Sequence, residues 1–520
     1  MDNDSAHHAS IALHMHLTGD YVSLIDNGKD YLDKPHFHFW LTAFSYKLFG
    51  VSAFAYKFPS LLFTAGGVYS TCRLGKLLYN EETGKLAALI TASAFAFILA
   101  NNDVRMDAIL TSCIVFSIWQ LVALVQQKKI TSAVLAALGL AMGFSTKGHI
   151  GIVIPAVAVL FYIVQQKEWK IFRNWNWWLM MIVFLVFIAP ELYCYYLQFN
   201  RHPEKVVRGK DHIDGIRFIV YGQSLERFDG DNFGAVNKRD YFFFLHTFLW
   251  AFAPWSILAY WAVSKRVNKW RNSDKEWLTA GCFISMLIII SFSGFKLPHY
   301  LNIIFPTTAI LTASFILEKK EDKGRTKIIF SIQIAVLVLL LLLTALLTGW
   351  VFPVKSPGFI VCIILLLSLV FYFIKTPMLG FLQKAVAVPV AAIVLLFFCL
   401  NMSFYPRLLQ YQGGNELARI TKGKVDPAAV YNWKEEYSSS YNFYTHHLTE
   451  RFHDSLFQKG EPVWLLYDEK MRNQIDSAGY KLHPQYSVPA YRITQLGFAF
   501  LNPQTRDSAC SRLVLAIITR

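Results

Sequence analysis

Charge is what this chain has little of. Asp, Glu, Lys and Arg make up 16% of its 520 residues, against 54% hydrophobic ones, and acidic residues are the scarcer sign, 35 to 50 basic. So little polarity excludes a soluble globular protein of this length, which needs far more to clothe its surface. Cysteine is scarce too. Cys72, Cys113, Cys194, Cys282, Cys362 and Cys399 sit in or beside apolar runs, where a thiol behaves as a small apolar group, and only Cys510 lies in the polar tail. A disulfide framework is thereby excluded. Residues 1–35 are polar and lack the apolar core of a signal peptide. No internal repeat is legible, which disfavours the common transporter architectures.

What the chain has instead is long apolar runs. Ile328–Val351 and Ala385–Asn401 contain no charged residue and approach the length of a membrane span. The same reading gives about twelve spans, near 53–74, 84–102, 106–126, 131–147, 149–166, 175–198, 241–263, 276–293, 298–317, 327–352, 357–375 and 384–403. Residues 131–166 read either as two short helices or as one broken pair. The +15 charge suggests nucleic acid until its distribution is seen. Basic residues crowd alternate short loops, such as Ser264–Lys275 and Glu318–Lys327, as expected of one cytoplasmic face. We therefore expect no nucleic-acid partner. Residues 1–52 fall outside as a loop with amphipathic surface helices, and 53–403 form the membrane domain with a long outside loop at 199–240. Residues 404–520 make a small soluble α/β domain. Within that tail, Ala428–Trp433, Pro462–Tyr467 and Leu513–Ile518 read as strands and Lys470–Ala478 as a helix. Because residues 1–50 are placed outside with nothing ahead of them to carry them across, either the first span inserts with its N-terminus translocated or a further apolar segment stands upstream of Met1, and we expect the second.

The chemically useful carboxylates fall in the other set of loops, which points to an enzyme working on the non-cytoplasmic side. Asp4 opens an amphipathic segment, Ser5–Leu17, and would orient or deprotonate an acceptor, or else serve as a helix N-cap. In Tyr31-Leu32-Asp33-Lys34-Pro35, Lys34 is a point charge suited to a lipid phosphate, and Asp33 would hold that lysine or a divalent metal. The competing account is a helix start, with Asp33 near the N-cap and Pro35 at its first position. His36–Phe49 is aromatic-rich, as at a headgroup layer. His7, His8, His14, His16, His36 and His38 lack fixed ligand spacing and read as polar contacts rather than a metal site. Arg105-Met106-Asp107 places an ionisable pair at the mouth of a span, where it must be paired or line a cavity. In Lys296-Leu297-Pro298-His299-Tyr300, Lys296 would present a cation to an anionic headgroup or simply snorkel. Glu226, Arg227, Arg239 and Asp240 add charged candidates in the long loop.

At these residues the chain resembles the GT-C membrane glycosyltransferases of the protein O-mannosyltransferase and aminoarabinose transferase family, glycosyltransferase family 39. The matching stretches are Asp4, Thr18-Gly19-Asp20-Tyr21, Asp33-Lys34-Pro35, Phe39-Trp40-Leu41 and Phe49-Gly50. Arg105-x-Asp107, Ser145-Thr146-Lys147-Gly148, Gly222-Gln223-x-x-Glu226-Arg227-Phe228, Pro254-Trp255 and Lys296–Tyr300 follow in the family's order. The likeness runs from residue 4 to about 310 and is similar to the bacterial aminoarabinose transferase branch.

The resemblance implies a polytopic α-helical GT-C fold and inverting transfer of a sugar, aminoarabinose-like or hexose, from a polyprenyl-phosphate donor. The acceptor would be lipid A, another glycolipid or a protein, on the periplasmic side of a bacterial inner membrane. It also implies catalytic roles for Asp4 and Asp107, donor-phosphate contacts from Lys34, Arg105, Lys296 and Tyr300, and a divalent metal at Asp33; the need for cations around a leaving phosphate adds Arg239 or Arg227 as further donor-phosphate candidates. Two departures stand out. Ser5 replaces the Glu that usually follows Asp4, and Asn237-Lys238-Arg239-Asp240-Tyr241 stands where relatives carry a histidine-containing stretch, which weakens the expectation of a metal. The competing class is a transporter or flippase of lipid-linked sugars. A third is an assembly factor acting through its tail.

Overall fold

In a computed structural model, the structure describes residues 3–223, 225–226, 240–268, 276–318, 320–434, 437–459 and 462–520. Two helices precede the membrane bundle: α1 (Asn3–Thr18) and α2 (Phe37–Phe49). Between them a two-stranded ribbon, β1 (Ile25–Asp26) and β2 (Lys29–Asp30), closes on Asn27-Gly28. Both turn residues have positive φ, 48° and 76°, which a two-residue hairpin requires and which Asn and Gly accept at least cost. Asp4 lies in the first turn of α1, where the helix dipole favours a carboxylate, rather than capping from outside it. At α2 the capping residue is His36, not Asp33, whose carboxylate is engaged elsewhere.

The bundle begins with α3 (Ala53–Leu78), capped by the Ser52 hydroxyl accepting from the Ala55 N–H. It continues through α4 (Glu81–Ala92), α5 (Phe95–Asn102), α6 (Met106–Gln127), α7 (Ile130–Lys147), α8 (Ile150–Gln166) and α9 (Trp175–Tyr195). All twelve expected spans are occupied by helix. Among the described residues, however, seven helices are long and apolar enough to cross a membrane, or eight if α4 and α5, bent by 53°, form one broken span. Helix α8 and Leu278–Ser291 are apolar but shorter. Residues 241–263 divide into Phe243–Ala251 and Ser256–Asn268 on either side of Pro254, which has no N–H to continue the ladder. Residues 131–166 resolve into two helices. Helix α6 is buried along 89% of its most apolar window and is the axis of the bundle, whereas Pro357–Lys375 is only 6% buried and lies at its margin.

Two features fix the end of α7. Gly148 takes φ 70°, a conformation that suits glycine, and stops the helix directly after Lys147. One turn back, Gly143 and Gly151 bring α7 and α8 into backbone contact; a Cβ on Gly151 would lie 2.3 Å from the Gly143 carbonyl carbon.

Past Phe381–Tyr411 the chain becomes a mixed five-stranded sheet of order β4-β3-β5-β7-β6. Its strands are β3 (Val430–Asn432), β4 (Glu450–Arg451), β5 (Trp464–Asp468), β6 (Lys481–Ala490) and β7 (Ser511–Thr519). β3 runs parallel to β4 and β5, and β7 pairs antiparallel with β5 and β6. The tail is seated on the N-terminal helices. Phe443, from the helix Ser439–Thr445, is buried with Ala9, Ile11 and Leu13 of α1, and its ring centroid lies 6.3 Å from that of Tyr46 and 6.4 Å from that of Tyr56.

Candidate active site

The site is assembled at one end of the bundle, where α6 starts and α7 stops. Asp107, on the first turn of α6, is 3% exposed, and its Oδ1 accepts from the Lys147 ammonium at 2.7 Å. A buried carboxylate is tolerated only with such a partner, because the cost of taking it out of water is several kcal/mol. Its Oδ2 lies 3.7 Å from His299 Nε2. The other ring nitrogen of His299 meets Arg105 Nη1 at 3.1 Å, and the same guanidinium nitrogen reaches Asp4 Oδ2 at 3.4 Å. Arg105 also pairs with Asp103 at 3.5 Å, and Ser5 donates to Asp103, so the residue standing in place of the second carboxylate holds a neighbouring one. Lys147 sits 4.6 Å from the centroid of the Tyr300 ring, a cation–π contact that uses the edge of its coordination left by Asp107. A single run of contacts therefore joins Asp4, Arg105, His299, Asp107, Lys147 and Tyr300.

Asp4 is the accessible end of this run, with its side chain 60% exposed against 5% for Asp107. The first can meet an incoming group; the second is committed to its partners.

Beside it lies the Asp33–Lys34 pair, with Nζ 2.7 Å from Asp33 Oδ2. Tyr31 links the pair to α1: its hydroxyl donates to Asp33 Oδ2 at 3.5 Å, and its ring centroid lies 5.4 Å from that of His7. The described part of the 199–240 loop folds back on the pair. Gln223 donates to the Asp33 carbonyl, and Arg208 donates to the Leu32 carbonyl, pairs with Glu226 at 2.9 Å and stands 4.0 Å from Asp33 Oδ1. From α9, the Tyr195 hydroxyl donates to the Lys34 carbonyl at 3.3 Å. Lys296 is 1% exposed and stacks 5.5 Å from the Tyr241 ring, a buried position rather than one presented at the surface. Arg239 and Arg227 lie outside the described residues.

His8, on α1, and His36 and His38, at the start of α2, are buried. His8 touches His7 and His38 ring to ring, with centroids 5.5 and 5.9 Å apart, and burial holds its pKa well below the ordinary histidine value, as do the neighbouring His7, His38 and Lys34. Burial also pushes His36 and His38 down to about 4. These rings are neutral over the physiological range. Among the described residues no group of three His, Cys, Asp or Glu side chains is disposed to hold a metal ion. The surroundings of Asp33 point the same way: both carboxylate oxygens face cations, Lys34 and Arg208, which repel a divalent ion. The residues present do not suit a metal there.

Lys147, His299, Asp103 and Arg208 are the members that sequence reading assigned no role. Lys147 carried a signal, since it falls between two apolar runs in a turn outside the set of basic loops.

Buried ion pairs gather at one end of a helical membrane bundle with a mixed-sheet tail beside them, an architecture that superposition on solved structures gives as the GT-C fold. A family model described as dolichyl-phosphate-mannose-protein mannosyltransferase matches residues 33–194. Over 99% of its length the chain superposes on the crystal structure of ArnT from Cupriavidus metallidurans bound to undecaprenyl phosphate, with a TM-score of 0.72, 17% identity and 93% of that chain covered. An archaeal oligosaccharyltransferase from Archaeoglobus fulgidus shares the architecture more distantly, at a TM-score of 0.51 and 10% identity, with 92% of this chain and 67% of that one covered. In sequence the chain is similar to the undecaprenyl phosphate-alpha-4-amino-4-deoxy-L-arabinose arabinosyl transferase of Pseudomonas aeruginosa, at 25% identity over 57% of this chain and 52% of that protein. The enzyme of the same name from Edwardsiella ictaluri is 24% identical over 62% and 56%. An uncharacterised protein of Aquifex aeolicus is 23% identical over 82% and 78%. The chain is thus similar to the aminoarabinose transferases within the GT-C class, and it spans about half the length of the curated transferases it matches.

Proposed function

We propose that this chain is an inverting glycosyltransferase that moves a sugar from a polyprenyl-phosphate donor to lipid A or another glycolipid at the periplasmic face of a bacterial inner membrane. The observation that carries this reading is the run from Asp4 through Arg105 and His299 to Asp107 and Lys147, with the Asp33–Lys34 pair tied to the same N-terminal helix through Tyr31 and His7. In the reaction, an acceptor oxygen forms a bond to the anomeric carbon while the bond from that carbon to the phosphate oxygen breaks. The electron pair leaves on polyprenyl phosphate, and the acceptor proton passes to a carboxylate. The accessible Asp4 is suited to receive it. Negative charge growing on the leaving phosphate calls for fixed cations, which Lys34, Arg105 and Lys147 supply. Each is positioned by a carboxylate: Lys34 by Asp33, Arg105 by Asp4 and Asp103, and Lys147 by Asp107.

The test is transfer by the purified full-length chain in detergent, using undecaprenyl-phosphate aminoarabinose and lipid A, read by mass spectrometry. Lys34→Ala should lower transfer by about 10²–10³ and Asp4→Asn by about 10²–10⁴ without loss of folded protein. Undiminished transfer by both variants would remove these roles. Sugar movement across proteoliposomes with no transfer in micelles would favour the carrier reading instead.

A further inference from the structure

A cavity of about 270 Å³ lies in the seam where the tail meets α1 and the Asn27-Gly28 turn. One wall comes from α1, with Ser10 and His14, and the opposite wall from the tail, with Tyr437, Glu450 and Arg451. The seam is braced from both sides. Asn442 Oδ1 accepts from the Thr449 N–H and hydroxyl at 3.2 and 2.8 Å, and its Nδ2 reaches Asn27 Oδ1 at 3.5 Å.

Three observations point to a ligand. His14 lines the cavity, and among the described residues its buried Nδ1 has no hydrogen-bond partner. A buried ring nitrogen left so is costly unless something else completes it. Glu450 and Arg451, adjacent on β4, likewise form no side-chain hydrogen bond or ion pair among the described residues, although both border the space. Lastly, the cavity is joined to the reaction centre. Asp4, His7, Ser10 and His14 are spaced by three or four residues and so share a face of α1. His7 on that face bonds Asp26 at 2.8 Å, and Asp26 in turn accepts from Asn27 at the cavity rim. At 1.5 Å per residue, Ser10 lies about 9 Å and His14 about 15 Å along the helix from Asp4.

We propose that this seam is an acceptor subsite for carbohydrate, holding the hydroxyl-rich headgroup of a glycolipid while its reacting oxygen lies at Asp4; the inference rests on the transferase reading above. The lining matches sugar chemistry. The planar groups of Glu450 and Arg451 suit neighbouring hydroxyls, the Ser10 hydroxyl and the His14 ring offer further hydrogen-bonding groups, and the Tyr437 ring offers an apolar face. A peptide acceptor is less well served. β4 is an edge strand but only two residues long, too short a template for strand addition.

The test is ligand-observed saturation-transfer NMR on the full-length chain in detergent, with a glucosamine disaccharide as probe, a short peptide as control, and undecaprenyl phosphate binding measured in parallel. The disaccharide should show saturation transfer that falls at least about tenfold in Ser10→Trp, which fills the cavity. It should weaken similarly in the Glu450→Ala/Arg451→Ala pair, exposed positions whose loss leaves the fold intact, with undecaprenyl phosphate binding unchanged in both. Disaccharide signal unaltered in the surface pair, or signal from the peptide alone, would overturn the subsite. Absence of undecaprenyl phosphate binding in the wild type would instead overturn the transferase reading, with the seam judged on the disaccharide alone.

Discussion

Asp107 and Lys147 exist in their present form only as a pair. Each is nearly closed to solvent, and removing one leaves the other a buried charge without its ion-pair partner at 2.7 Å. Lys147→Met should therefore destabilise the protein by about 3–5 kcal/mol, while the double variant Asp107→Asn/Lys147→Met should regain most of that stability and still fail in transfer. Thermal unfolding in detergent beside the transfer assay separates the two effects. The imidazoles make a second residue-scale case. With a folded pKa of about 4 against 6.5 for the free group, His36 and His38 each stay neutral in the folded chain while the unfolded chain takes up protons. Stability is then full above about pH 6.5 and declines as pH falls toward 4, by roughly 1.4 kcal/mol per unit for each ring. His38→Phe should flatten part of that decline in melting temperatures measured from pH 7 to pH 4.

Elements were legible in the sequence where one period or one length decided the matter. The amphipathic stripe of Ser5–Leu17 became α1, the aromatic segment His36–Phe49 became α2, and apolar length located each helix of the bundle. Counting spans went less far, because α3 mixes hydroxyls and glycines into its 26 residues and others are cut short or bent at Pro254 and at Ser93-Ala94. In the tail, β6 escaped notice because Pro484 and Pro489 argue against a strand. It holds the edge of the sheet, where a missing donor is harmless. The site divides along the same line. Arg105 and Asp107 stand out as charges at the mouth of an apolar run, whereas the pairing of Asp107 with Lys147, 40 residues on, and of Arg105 with His299, 194 residues on, is fixed by how helices pack and not by local pattern.

Across the whole molecule, two of the contacts that tie the tail to the rest of the chain stand out. One is the buried Phe443. The other is Arg506, 8% exposed, which donates to the carbonyls of Phe500, Leu501 and Val351 and lies 4.1 Å from the Phe352 ring centroid. Arg506→Ala strands those carbonyls at about 1–3 kcal/mol apiece where water cannot reach them. Limited proteolysis should then cut within 491–510 at protease levels the wild type resists. The Phe443 anchor carries a separate consequence. Because it is keyed between α1 and the Tyr46 and Tyr56 rings, the extramembrane module and the opening fifty residues constitute one mating surface. Chimaeras that swap the tail between relatives should work only when the first two helices travel with it.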